Sequence, residues 1–256
     1  MSTSSSALLR LRGATKAYPS GEGQFVALHP LNLDIHPGEL TLLIGPSGSG
    51  KSTLLSILGC LMQPTAGAVL IGGVDAARLG ESGRARLRRD RIGFVFQSYN
   101  LFPNLTAAEN VRVALDLKGT PPALQVPLSY ELLDRVGGRR FADSYPSRLS
   151  GGQCQRVAIA RALAGGPDII LADEPTAALD WGAGEGVLKV LQSLAQRDGR
   201  TVLIVTHDAR ALPFADRVIR MEDGRLVEDS PGPAAASGRQ SSVARAAREE
   251  IECAVG

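Results

Sequence analysis

Residues Leu40–Ile44 form an apolar run that ends at Gly45-Pro46-Ser47-Gly48-Ser49-Gly50-Lys51-Ser52, and a helical pattern through Leu54, Leu55, Leu58 and Leu61 follows at once. This succession restricts the fold more than any other stretch. A short buried strand, a tight turn and a helix start in immediate sequence require a sheet with a helix laid back across it. The glycines let the backbone bend so that successive N–H groups converge, and the helix N-terminus adds its positive dipole. The loop, with Thr53 on the first helical turn, is therefore expected to hold nucleotide phosphates. Lys51 would reach the β- and γ-phosphates, and the Ser52 hydroxyl would ligate Mg²⁺. The loop alone does not separate ATP from GTP, nor binding from turnover.

A second apolar run, Ile169–Ala172, ends in Asp173-Glu174. Adjacent residues at a strand end point to opposite sides, so the two carboxylates can take different roles. Asp173 would help hold Mg²⁺, through water, and Glu174 would act as general base or orient the attacking water. Val202–Thr206 is a third strand, followed by His207. Between them Val187, Leu188, Leu191, Leu194 and Ala195 keep helical spacing, which gives a strand–helix–strand crossover. Leu8–Ile35 and Gly67–Val74 read as shorter strands with turns, an antiparallel side sheet. From about Gln97 to Leu163 the pattern is helical, broken at Gly119-Thr120-Pro121-Pro122 and at Gly137-Gly138, as for a helical subdomain inserted into the sheet domain. Ser230-Pro231-Gly232-Pro233-Ala234 reads as a linker, and Ser241–Glu252 as a weak helix. The expected division is one α/β domain over 7–229 and a tail over 230–256.

Composition removes several function classes. The formal net charge of +2 argues against a nucleic-acid surface. Five arginines between Arg84 and Arg91 make one basic cluster, read as a solvated helix face or, alternatively, a contact with lipid head groups or a membrane-protein loop. No apolar run approaches the roughly 18–20 residues needed to span a bilayer. Residues 1–13 lack the basic-then-apolar order of a signal peptide. Cys60, Cys154 and Cys253 have no zinc spacing and suit a reducing compartment, so membrane association is expected only through a partner.

About a hundred residues beyond the phosphate loop lies Leu149-Ser150-Gly151-Gly152-Gln153, between Tyr145-Pro146-Ser147-Arg148 and Arg156-Val157-Ala158-Ile159-Ala160-Arg161-Ala162-Leu163. A second anion-binding surface of this kind, in this order after the loop, resembles the ATP-binding cassette (ABC) family, over about residues 8–229. The resemblance implies a phosphate-loop NTPase core with an antiparallel side sheet and a helical insertion, and ATP and Mg²⁺ as ligands. It implies Lys51, Glu174 and His207, the family's switch histidine, as catalytic residues. Ser150, Gly151, Gly152 and Gln153 would contact ATP held by a second copy, and Asp180 would sit in the loop that crosses the dimer interface. Gln97 resembles the glutamine that ligates Mg²⁺ beside the membrane partner. Tyr18, 27 residues before Gly45, resembles the aromatic that stacks on adenine, with Phe25 the weaker candidate.

Three positions depart from the family pattern. Cys154 stands where a polar or basic residue is usual, facing solvent at the helix start or lying beside the nucleotide. Ala177 replaces a common serine. Trp181, the only tryptophan, is expected at the dimer seam. The implied function is the ATPase subunit of a membrane transporter: a homodimer of cassettes bound to a permease at the cytoplasmic face of the inner membrane. Glu174-Pro175-Thr176-Ala177-Ala178-Leu179-Asp180 and Ala215-Asp216-Arg217-Val218 resemble the branch that exports macrolides, releases lipoproteins or exports glycolipids. Two alternatives stay open: a soluble ABC ATPase of DNA repair or translation, and a regulatory cassette without turnover.

Overall fold

The computed structural model describes residues 7–21 and 23–235. Its first two strands, β1 (Leu9–Ser20) and β2 (Gly23–Ile35), pair antiparallel and are long, where shorter pieces were expected. The alternation is masked by register shifts between Leu11 and Ala14, Ala14 and Lys16, and Lys16 and Ala17. Each shift turns the following side chains to the other face, so the period of two breaks while the strand continues. β3 (Leu40–Ile44) and α1 (Lys51–Leu58) flank the phosphate loop. α1 stops a turn earlier than its leucine spacing predicts, because Cys60 takes a left-handed conformation at φ 56° just past the helix end. Leu61 is consequently outside the helix and exposed.

β4 (Ala66–Ile71) and β5 (Val74–Asp75) complete a four-stranded antiparallel sheet of order β2-β1-β4-β5. α2 (Glu81–Arg91) carries the arginine cluster and buries none of its residues. Arg84, Arg89 and Arg91 pair with Glu81, Asp90 and Asp168, and Arg88 donates to the Cys60 carbonyl, so this is a largely neutralised solvated face.

β6 (Ile92–Val95) leads into the helical segment of α3 (Ala107–Leu117), α4 (Pro122–Arg135) and α5 (Gly151–Ala162). The chain returns through β7 (Ile169–Asp173), α6 (Trp181–Gln196), β8 (Thr201–Val205), β9 (Arg217–Glu222) and β10 (Arg225–Pro231). The second sheet has the order β10-β9-β3-β8-β7-β6, parallel except for β10. β10 takes in Ser230 and Pro231, two residues expected in a linker. Proline is tolerated there because β10 is an edge strand, with no further neighbour awaiting a donated N–H. Gly232 then passes so close to the Ala215 carbonyl that a Cβ would lie 2.2 Å from its oxygen. The expected helix Ser241–Glu252 lies outside the described residues.

Both faces of the parallel sheet are buried, by different partners. Leu42, Ile170, Ala172, Val202 and Ile204 face the helices, where Val157, Ile159, Val187, Leu188 and Leu191 meet them. Leu43, Ile169, Leu171, Leu203 and Val205 face the other way, onto α1 and the antiparallel sheet through Leu54, Leu58, Leu11 and Leu28. Burial on both sides explains why these strands read as unbroken apolar runs. The fold also brings three strand ends together: β3, β8 and β7 are neighbours, so the residues after each share one edge of the sheet.

Candidate active site

The loop after β3 turns back beneath the β9–β10 turn. Gly50 has φ 97°, and a Cβ there would lie 2.7 Å from the Ala27 carbonyl oxygen, so only glycine fits. Gly224 N–H donates to the Ser49 carbonyl at 3.0 Å and fixes the loop from behind. Lys51 is buried, its Nζ donating to the Gly45 and Pro46 carbonyls at 2.9 and 2.7 Å. Burial pulls the Lys51 pKa down, and the nearby Glu174 and Asp173 charges oppose that shift. Ser52 Oγ donates to Asp173 Oδ1 at 3.3 Å. Burial raises the Asp173 pKa, with the Ser52 bond acting against it.

Glu174 sits one residue beyond β7 at φ 46°, its N–H donating to the Val205 carbonyl at 2.9 Å. That left-handed backbone is costly for a non-glycine residue and marks a position held by its surroundings. Its carboxylate is held at both oxygens: Oε1 lies 2.7 Å from His207 Nδ1, and Thr206 Oγ1 donates to Oε2 at 3.1 Å. Thr206 is a partner that residue spacing alone did not single out. Its only sequence signal is a hydroxyl at a strand end beside the histidine.

These groups line one cavity of about 590 Å³, with Ser47, Gly48, Gly50, Lys51, Ser52, Thr53, Glu174, His207 and Phe25 on its walls. Phe25 is the aromatic on the wall. Tyr18 is its direct cross-strand partner, so both rings project from one face of the side sheet. The Tyr18 hydroxyl lies 3.0 Å from Met62 Sδ. Gln97 is exposed in the turn after β6 and is not on the cavity wall.

Residues 150–153 are also absent from the wall. They open α5 as a capping box, with Ser150 Oγ accepting from Gln153 N–H and Gln153 Oε1 accepting from Ser150 N–H. Gly152 lets α5 approach α6, since a Cβ would lie 2.9 Å from the Ala183 Cβ. Asp180 caps α6 by accepting from Ala183 N–H at 3.0 Å. Within one chain, then, residues 150–153 do not join the phosphate loop on the cavity wall. Cys154 does not face solvent: it is buried, with Sγ 3.7 Å from the Pro146 carbonyl oxygen, because it points from α5 toward the preceding turn. Burial raises its pKa.

A strand-bound phosphate loop, an acidic pair at the end of β7 and a histidine after β8 on one sheet edge define a phosphate-loop NTPase cassette with an antiparallel side sheet and a helical insertion. Residues 28–177 match the family model described as ABC transporter, and the chain belongs to that family. It is 48% identical over 227 residues to the macrolide export ATP-binding/permease protein MacB of Rhodospirillum rubrum, covering 89% of this chain and 35% of that protein. Against the probable syringafactin export ATP-binding/permease protein SyfD of Pseudomonas syringae pv. syringae it is 46% identical over 225 residues, covering 88% and 34%. The chain thus spans about a third of the length of these curated relatives. Among solved structures, the dimeric post-hydrolysis state of the ATP-binding cassette MJ0796, bound to ADP and Pi, superposes with a TM-score of 0.80. Sequence identity is 44%, and 87% of this chain and 98% of that one are covered.

Proposed function

We propose that this chain is the ATP-hydrolysing cassette of a membrane exporter, working as a homodimer that closes over two ATP molecules. The observation that carries the reading is the arrangement of Glu174. A carboxylate held at both oxygens shares a cavity with the phosphate loop, Lys51 and Ser52, while residues 150–153 of the same chain lie elsewhere. Such a half-site is completed by Ser150, Gly151, Gly152 and Gln153 of a second copy, whose helix N-terminus favours a γ-phosphate. The solved cassette bound to ADP and Pi is dimeric, which supports this pairing.

In the closed pair, Lys51 neutralises the β- and γ-phosphates, and the loop N–H groups orient them in line with water. Glu174 polarises that water, and His207 and Thr206 hold its carboxylate in one orientation. Phosphoryl transfer is mostly positioning and charge stabilisation, so closure itself assembles the site. The adjacent Ser52 hydroxyl and Asp173 carboxylate suit a hard divalent cation. Among the described residues no group of three acidic, histidine or cysteine side chains is placed to hold such an ion alone, so phosphate oxygens and water would complete its shell. Ser52 and Asp173 would hold Mg²⁺ there, joined by Gln97 if its exposed turn swings toward the cavity, and the ion would supply charge neutralisation at the phosphates. Tyr18 and Phe25 together form the face for the adenine, and Asp180 faces the partner cassette.

Export is favoured by the names of the relatives, both ATP-binding/permease proteins. Among the described residues no helix is long and apolar enough to cross a membrane; on this reading the transport work passes to a permease. A groove of about 360 Å³ on α3 and α4, lined by Leu105, Val113 and Leu117 with Glu109, Arg112 and Asp116, suits a short amphipathic segment of that partner. On this reading the cassette works at the cytoplasmic face of the inner membrane. ATP turnover by the purified chain, abolished in Lys51→Ala, tests the activity. Recovery of the cassette with an integral-membrane protein tests the partner, and recovery only as a soluble ATPase contradicts it.

A further inference from the structure

Trp181 and Arg210 are 29 positions apart and belong to different elements, yet the Arg210 guanidinium lies over the Trp181 ring at 4.8 Å from its centre. Trp181 opens α6, directly after Asp180, and Arg210 lies in the 3-10 turn that follows His207. Arg210 also grips Asp208, with Nε at 2.9 and 3.1 Å from its two oxygens and Nη2 at 2.8 Å from Oδ2. Asp208 N–H then donates to Thr206 Oγ1 at 3.0 Å, and Thr206 Oγ1 donates to Glu174 Oε2.

The contacts make a closed circuit. From Glu174 the chain runs through a tight loop, with Ala177 N–H donating to the Glu174 carbonyl and Leu179 N–H to the Thr176 carbonyl. It reaches Trp181, crosses to Arg210 and Asp208, and returns through Thr206 to the Glu174 carboxylate. A planar guanidinium can stack on an aromatic face and fork onto a carboxylate at the same time, which lysine cannot reproduce. Neither Trp181 nor Arg210 lines the nucleotide cavity, and both are substantially exposed, so their contact is not explained by core packing.

Resting on the ATPase reading above, we infer that Trp181 and Arg210 are positioning residues, a strut that ties the loop ending at Asp180 to Asp208 and so fixes the Glu174–His207 pair for turnover. A shift of that loop, the segment nearest the partner cassette in the proposed dimer, is carried through the ring and guanidinium to the catalytic carboxylate. The same Arg210 bond lowers the Asp208 pKa.

The test is steady-state ATP hydrolysis by the full chain carrying Trp181→Ala, Arg210→Gln, both together, or Trp181→Phe. Each of the first two lowers kcat roughly two- to tenfold, the range of a partly exposed cation–π contact, while KM for ATP stays within about twofold. The double variant is no worse than the poorer single one, because one contact is removed twice. Trp181→Phe, which keeps a ring, recovers most of the rate. Additive losses, a wild-type rate in the double variant, or a raised KM at unchanged kcat overturn the inference.

A wild-type chain without turnover would instead sink the ATPase reading. The strut is then judged on the emission of the single tryptophan in nucleotide-free protein. Arg210→Gln shifts its intensity or maximum if the strut exists, and an unchanged spectrum refutes it.

Discussion

Glu174 and His207 meet through Oε1 and Nδ1 at 2.7 Å, while the second oxygen of Glu174 is held by Thr206, so the carboxylate has one orientation relative to the phosphate loop. Glu174→Gln keeps the shape and the partners but removes the proposed base. It should lower turnover by about 10²-fold or more, the scale of a general base, while ATP binding persists. His207→Ala leaves the Glu174 carboxylate with one support and should lower kcat more than it weakens ATP binding. Equilibrium binding beside turnover in the two variants checks both.

Ser150 has a structural duty in its own chain and a proposed chemical duty in the partner's. Ser150→Ala removes the cap of α5 and should cost about 1 kcal/mol of stability, visible in denaturant unfolding. Ser150→Arg should in addition abolish turnover by filling the partner's phosphate site. Mixing Ser150→Arg with Lys51→Ala subunits restores at most one complete site per dimer. Partial recovery of ATPase activity on mixing supports the shared site, and no recovery at any ratio argues against it.

The buried thiols should be inert. Burial pushes the Cys60 pKa up to about 11 and raises that of Cys154 as well, so neither is a thiolate at neutral pH. In a Cys253→Ser background the native chain should take up almost no iodoacetamide at pH 7.5, and two equivalents after denaturation. Fast labelling of native Cys154 would show that the start of α5 opens.

Arg217 links three segments, donating to Asp229 at 2.7 and 2.6 Å, to the Asp34 carbonyl at 2.6 Å and to Glu39 at 3.3 Å. Its bond to Asp229 holds that carboxylate below the ordinary aspartate range. A carboxylate with a depressed folded-state pKa contributes stability that is present above its unfolded pKa. That contribution is lost as pH falls through the folded value. The stability difference between wild type and Arg217→Met should therefore be full at neutral pH and begin to shrink below about pH 4. Urea unfolding from pH 7 to 3 follows it.

Much of this site is legible in the chain because its signals are local. A strand, a glycine loop and a helix start are contiguous from Leu40 to Leu58, and the acids that follow β7 need only the apolar run before them. Relations that depend on tertiary packing are not legible. Cys154 reads as a surface residue until α5 is set against the turn at Pro146. The pairing of Trp181 with Arg210 spans a whole helix and strand. The full length of β1 and β2 does not show in the sequence, because their register shifts break the alternation by which a strand is recognised. Pro231 reads as a linker residue unless β10 is known to be an edge.

The mass of Glu174→Gln in solution tests the central claim, that ATP closes two cassettes around sites neither can complete alone. Light scattering should give a monomer without nucleotide and twice that mass with ATP and Mg²⁺. The dimer should revert when Ser150→Arg is added to the same chain. A monomer under saturating ATP, or a dimer indifferent to both nucleotide and Ser150, would contradict the account.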